Sequence, residues 1–185
     1  MTKIAVIVGS IRAESINHML AKNLERLVPE GTEFDYVDIA SLPLFNQDLE
    51  SDYPPEARAL KAIIEASDAV LFVAPEYNHS LTGVLKNAID WGSRPWGSNS
   101  WSDKPTGIVG ASTSQNGTRF SQAALASIIE WFKSPLYTDE KITMIKTEET
   151  FDANGNLQND SEVEAKKYIN GFVAWVNDIP AHTGA

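Results

Sequence analysis

Cysteine is missing from all 185 residues. Disulfides, thiolate nucleophiles, Cys-ligated zinc and iron–sulfur clusters are therefore excluded. Positive charge is scarce: 15 Lys and Arg stand against 25 Asp and Glu, a formal net charge of -10. A duplex nucleic-acid surface needs clustered cations to neutralise phosphates, and an anionic membrane surface needs the same, so neither partner is expected. There are only three histidines, none spaced with Asp or Glu as a metal site would be, and no metal is expected. No apolar run approaches the ~20 residues of a membrane helix. Met1-Thr2-Lys3 leads straight into a strand pattern without a charged leader and apolar stretch, so the expected location is the cytoplasm. Internal repeats, linkers and low-complexity tracts are absent as well. The length suits a single domain over 1–185 with a sizeable core.

What the sequence does contain is an alternation of strand and helix patterns from end to end. Strand windows are 3–8, 33–38, 69–74, 105–111 and 141–145, the third (Ala69 to Ala74) being apolar throughout like a buried parallel strand. Between and after them, apolar residues recur at helical spacing: Ile16, Met19, Leu20, Leu24 and Leu27; Leu81, Val84, Leu85, Ala88 and Ile89; Leu125, Ile128, Ile129 and Phe132; Ile169, Phe172, Val173 and Val176. Pro54-Pro55-Glu56 marks another helix start, and Ser161 with Glu164 offers a capping box for the last helix. Asp152 to Asn156 reads as a structural turn that lacks the ligand series of a calcium loop. Five such units specify a doubly wound parallel sheet.

Ligands of such sheets sit beyond the carboxyl ends of the strands. After the first strand comes Gly9-Ser10-Ile11-Arg12-Ala13-Glu14-Ser15-Ile16-Asn17. It has neither the Gly-Lys-Ser/Thr of a Walker loop nor the further glycines that admit a pyrophosphate. Instead Ser10, Arg12, Ser15 and Asn17 gather donors around a helix start, a cup suited to one terminal phosphate. Singly, each has a plain alternative: Ser15 as a helix cap, Asn17 as a surface residue, Arg12 as a solvated charge. Glu14 would repel a phosphate and is expected to face solvent. After the third strand, Tyr77 and Asn78 offer a ring surface and amide hydrogen bonds to a planar heterocycle, whereas Leu85, Ala88 and Ile89 read as core. No Gly-x-Ser-x-Gly elbow supports a hydrolase.

The whole run from Pro75 to Trp91, Pro-Glu-Tyr-Asn-His-Ser-Leu-Thr-Gly-Val-Leu-Lys-Asn-Ala-Ile-Asp-Trp, resembles the signature of the NADPH-dependent FMN reductases. This flavodoxin-like family includes quinone, chromate and azo-dye reductases, and Gly9 to Asn17 is similar to its flavin-phosphate loop. The resemblance implies a flavodoxin-like three-layer fold with strand order 2-1-3-4-5 and FMN at the switch point between strands 1 and 3. It assigns the FMN phosphate to Ser10, Arg12, Ser15, Ile16 and Asn17. It assigns the flavin ring to Pro75, Glu76, Tyr77 and Asn78, and a third contact to Ser112 and Thr113. The loop from Ala111 to Arg119 departs from the family pattern, keeping one glycine, Gly117, where several are usual.

The implied activity is NAD(P)H oxidation, with NADPH or NADH as co-substrate and a quinone or similar small-molecule electron acceptor. Bound FMN carries the chemistry, so no catalytic side chain is expected. A homo-oligomer, dimer or tetramer, is also implied. Trp91, Trp96 and Trp101 fit that expectation, lying in or beside a loop too polar to be core, although Trp91 could equally fold onto its own helix. Gly83 is expected to allow close helix–sheet approach. His18, His79 and His182 are expected at the surface, and Arg119 either assists an anionic substrate or pairs with a surface acid. The competing reading is a flavodoxin-type electron carrier docking redox partner proteins, with which an acidic surface is compatible.

Overall fold

The computed structural model describes residues 1–179. Five parallel strands form one sheet: β1 Thr2–Val8, β2 Thr32–Tyr36, β3 Ala69–Val73, β4 Thr106–Ser112 and β5 Ile142–Ile145. Their order is β2-β1-β3-β4-β5, the order expected from the sequence. The helices are α1 Ile16–Leu27, α2 Pro55–Glu65, α3 Gly83–Gly92, α4 Arg119–Trp131 and α5 Asn159–Asp178.

Side chains alternate across the sheet, so each strand feeds two cores. Ile4, Val6 and Val8 of β1 join Leu20 and Leu24 of α1 and Tyr168 and Phe172 of α5 on one face. Ala5 and Ile7 join Leu60 of α2, Leu85 and Ile89 of α3, and Leu125 and Ile129 of α4 on the other. This two-sided burial is why β3 carries no polar residue. Because β1 pairs with β2 on one side and β3 on the other, the chain leaves in opposite directions at the β1/β3 boundary. The crevice opened there is the switch point of the sheet.

Three local expectations are corrected. The last helix begins at Asn159, with Gln158 as its uncapped preceding residue, so Ser161 and Glu164 lie inside it and form no capping box. The acidic first-turn residues Asp160 and Glu162 complement the helix dipole instead. A Cβ at Gly83 would meet open space, so that glycine is not a point of close approach. Trp101, expected near an exposed interface, is fully buried in the α2–α3–α4 core, and Trp91 takes its equal alternative of packing inward there. The Trp101 indole lies directly on Gly92, where any side chain would collide with it, and its Nε1 donates to the Ile89 carbonyl at 2.9 Å. The polar loop covers these rings rather than presenting them; only Trp96, 86% exposed, meets the surface expectation. His182 lies outside the described residues.

Candidate functional site

Three loops converge at the carboxyl edge of β1, β3 and β4, and direct contacts interlock them. The Gly9 N–H donates to the Val73 carbonyl at 2.9 Å. A Cβ on Gly9 would lie 2.9 Å from Pro75 Cδ and 3.0 Å from Leu85 Cδ2, so the first loop can press on the second only with glycine there. Thr82, buried at the start of α3, donates its hydroxyl to the Gly9 carbonyl at 2.7 Å and accepts the Leu85 N–H at 3.3 Å. One side chain thus caps a helix and ties two loops together.

The loop after β1 forms a cup at the start of α1. Ser15 is the N-cap, its hydroxyl accepting from the His18 N–H at 3.3 Å. The first-turn N–H groups of Ile16 and Asn17 have no intrahelical acceptor and remain available to a ligand. Ser10 is buried, and its hydroxyl accepts the Arg12 N–H at 3.3 Å. The Arg12 guanidinium folds back over the loop and donates to the Glu14 carbonyl at 2.6 Å. Glu14 itself is exposed, as its charge demands. His18 is exposed but not idle: its Nε2 donates to the Ser10 carbonyl at 2.9 Å and pins the cup from the helix side. Helical spacing could have signalled this, since residue 18 faces the loop one turn after the cap.

Asn17 is not a surface residue, and its side chain has a structural partner. Its side chain is buried, with Nδ2 donating to the Ala111 carbonyl at 2.8 Å and Oδ1 accepting the Ala111 N–H at 2.9 Å. This amide mimics a neighbouring strand and fastens α1 to β4. Its side chain is a strut for the cup, and its backbone N–H lies in the first turn of α1 with the donors expected for a phosphate.

In the loop after β3, Pro75 is buried while Tyr77, Asn78 and His79 are exposed. Tyr77 and Ser80 exchange two backbone hydrogen bonds at 3.1 Å each across Asn78 and His79. Both central residues are left-handed, with φ of 51° and 58°. That is a tight hairpin turn of the kind usually built from Asn-Gly. His79 stacks on Phe120, ring centroids 4.7 Å apart, and the Arg119 guanidinium stands 4.6 Å from the same ring. Neither Phe120 nor its place as the meeting point of these groups was visible in the sequence.

Glu76 does not present its carboxylate to a ring. Its Oε2 accepts from the N–H groups of Phe120 at 2.8 Å and Ser121 at 3.1 Å, at the first turn of α4. In the third loop, the Ser112 hydroxyl accepts the Ser114 N–H at 3.1 Å and Thr113 is exposed. Gly117, at φ +57°, fits beneath the Thr143 carbonyl where a side chain would collide.

The residues present fit a phosphate-terminated planar cofactor. A cup of hydroxyls, an arginine and helix-start N–H groups adjoins a tight turn with an exposed aromatic, and the cup lacks the further glycines that would admit a pyrophosphate. Two hollows are relevant, and only one of them adjoins this edge. One of about 320 Å³ lies against the cup, lined by Ser10, Ile11, His18, Tyr36 and Asp38. The other, a groove of about 1190 Å³, lies elsewhere, between α3 and α4 with Trp96 and Trp131 on its walls, and shares no residue with the three loops.

Comparison with known proteins agrees with this geometry. A family model described as NADPH-dependent FMN reductase matches residues 2–146. A 2-hydroxy-1,4-benzoquinone reductase from Burkholderia sp is 43% identical over 177 residues, covering 95% of this chain and 97% of that protein. A quinone reductase from Pseudomonas putida is 38% identical over 174 residues, with 94% of each chain covered. Among solved structures, the flavoenzyme NAD(P)H:(acceptor) oxidoreductase FerB from Paracoccus denitrificans superposes with a TM-score of 0.90 at 36% identity, covering 96% of this chain and 98% of that one. With its sheet order, its interlocked switch-point loops and these relatives in agreement, the chain belongs to the NADPH-dependent FMN reductase family.

Proposed function

We propose that the chain binds FMN across the β1/β3 switch point and works as an NAD(P)H-dependent quinone reductase. The observation that carries this reading is the interlock of the two loops through Gly9, Pro75 and Thr82 at the switch point itself. The FMN phosphate is held by the Ser10 and Ser15 hydroxyls, the Arg12 guanidinium and the N–H groups of Ile16 and Asn17. The ring lies against Pro75, Tyr77 and Asn78, with Ser112 and Thr113 beside it. When bound, FMN supplies hydride acceptance from NADH or NADPH and electron donation to the quinone.

The protein's own part is to bind and orient. The Asn17–Ala111 pair and the His18–Ser10 contact fix the cup, and the tight turn fixes the ring loop. Within the ring loop the Glu76 carboxylate is engaged by α4 and the His79 ring stacks on Phe120, while Tyr77 is exposed; hydride transfer through FMN is expected to need none of the three as an obligatory acid or base. The electron-carrier reading is not favoured, because the relatives at 36–43% identity are named reductases or oxidoreductases.

The acceptor is a quinone or a comparable small planar molecule, consistent with the names of those relatives. A homodimer forms through the α3–α4 groove, where Trp96 and Trp131 are 86% and 80% exposed. No helix among the described residues is long and apolar enough to cross a membrane, and the reading places the reaction in the cytoplasm, where NAD(P)H is supplied. Anaerobic mixing of the FMN-loaded protein with NADPH or NADH tests the activity. Bleaching of the flavin band and its return on adding a benzoquinone is expected; a band that neither nucleotide bleaches contradicts the proposal.

A further inference from the structure

Helix α4 begins without a cap of its own. Its N-cap residue, Thr118, is fully buried, makes no cap hydrogen bond, and accepts instead from Gln122 Nε2 at 2.9 Å. The orphaned first-turn N–H groups are answered from 44 residues upstream, by Glu76. A carboxylate at a helix N-terminus is favoured by both hydrogen bonding and the helix dipole. The same loop contains two consecutive left-handed residues, neither of them glycine. Asn and His are among the non-glycine residues that adopt that conformation most often, yet two in succession persist only where their surroundings hold them.

Both holds converge on one residue. Glu76 takes the Phe120 N–H, and the His79 ring lies parallel to the Phe120 ring with an interplanar angle of 15°. The turn between Glu76 and Ser80 is thereby clamped at both ends to the start of α4. We infer that Glu76 is a positioning residue: its carboxylate caps α4 from the loop after β3 and, with the His79–Phe120 stack, holds the Asn78–His79 turn in its binding shape. This inference rests on the reading of that loop as the flavin-ring loop. It gives Glu76 a role distinct from direct ring contact, and it makes the loops after β3 and β4 a single rigid wall of the cleft.

The test compares Glu76→Ala, Glu76→Gln, His79→Ala and the Glu76→Ala/His79→Ala double variant by two readouts. The first is amide hydrogen exchange of the flavin-free protein at Ser80, Phe120 and Ser121; the second is the FMN dissociation constant by fluorescence quenching. Glu76→Ala is expected to speed exchange at all three amides and to weaken FMN about tenfold. Glutamine keeps an acceptor oxygen, so Glu76→Gln is expected to restore both readouts to within about threefold of wild type. The double variant is expected to lose less than the product of the single losses, because both contacts secure one turn.

Unchanged exchange at Ser80 in Glu76→Ala would overturn the inference. So would failure of Glu76→Gln to rescue, which would assign the effect to charge rather than to the cap. If the wild-type protein failed to bind FMN, the flavin reading would fall, while the exchange measurements would still decide whether Glu76 holds the turn.

Discussion

Gly9 and Arg12 do opposite work within one short loop, and their variants separate shape from charge. At Gly9 a methyl group would press on the rigid Pro75 ring at 2.9 Å and on buried Leu85 at 3.0 Å. Gly9→Ala is therefore expected to destabilise the fold by about 1–3 kcal/mol, as overpacking does, and to misalign the loops. Thermal unfolding together with FMN titration checks this, and a variant equal to wild type in both would refute the close-approach argument. Arg12 is exposed and supports no core contact, so Arg12→Ala should leave stability unchanged. It should weaken FMN by an order of magnitude or more, since a hydrogen bond to a charged group contributes about 1.5–3 kcal/mol. Tyr77→Phe should keep turnover within about tenfold at saturating FMN, below the range typical of losing a general acid or base. A stopped-flow bleaching rate about 1,000-fold slower would make the Tyr77 hydroxyl a chemical participant.

Asn17 shows what residue-level reading could and could not reach. A cluster of donors at a helix start was legible from Ser10, Arg12, Ser15 and Asn17. Which donor faces a ligand and which faces Ala111, 94 residues away, depends on how α1 lies on β4, and no local pattern encodes that. The partners of the Glu76 carboxylate were hidden for the same reason, lying 44 and 45 residues on.

At the scale of elements, strands and helices followed hydrophobic periodicity closely, because a sheet buried on both faces leaves little ambiguity in the pattern. The segment from Ser93 to Lys104 did not. Its Ser, Gly and Asn content reads as solvent-exposed, yet it folds over Trp101 and is fastened by Lys61 of α2. Lys61 Nζ donates to the Ser98 carbonyl and the Ser100 hydroxyl, each at 2.6 Å, with Glu65 3.6 Å away. Burial holds this lysine's pKa below its ordinary value, against the opposing pull of Glu65. Lys61→Met is expected to cost about 1–3 kcal/mol by leaving those acceptors without a donor. Limited proteolysis should then cut within residues 93–104 faster than in wild type; unchanged stability and cleavage would show that the lysine does not secure the segment.

For the molecule as a whole, the sequence indicated an acidic doubly wound domain and the kind of ligand at its switch point, but not which aromatic residues stay outside. Trp91 and Trp101 turned inward, leaving Trp96 and Trp131 as exposed indoles beside the α3–α4 groove. Trp131, on the outer side of α4, gave no signal of its own within an ordinary helical pattern. If this groove is the dimer face, Trp96→Ser combined with Trp131→Ser should convert a dimer to a monomer at micromolar concentration by light scattering, because buried tryptophans dominate interface energetics. A wild-type monomer, or a double variant that stays dimeric, would place the interface elsewhere.

The central claim is that a phosphate cup at the start of α1 anchors FMN at the switch point. Parallel titration of the cofactor-free protein with FMN and with riboflavin tests it most directly, since the two ligands share a ring and differ by the phosphate. FMN is predicted to bind at least tenfold more tightly than riboflavin in the wild type, with the gap narrowing sharply in Arg12→Ala. Equal affinities of the wild-type protein for the two ligands would contradict the account.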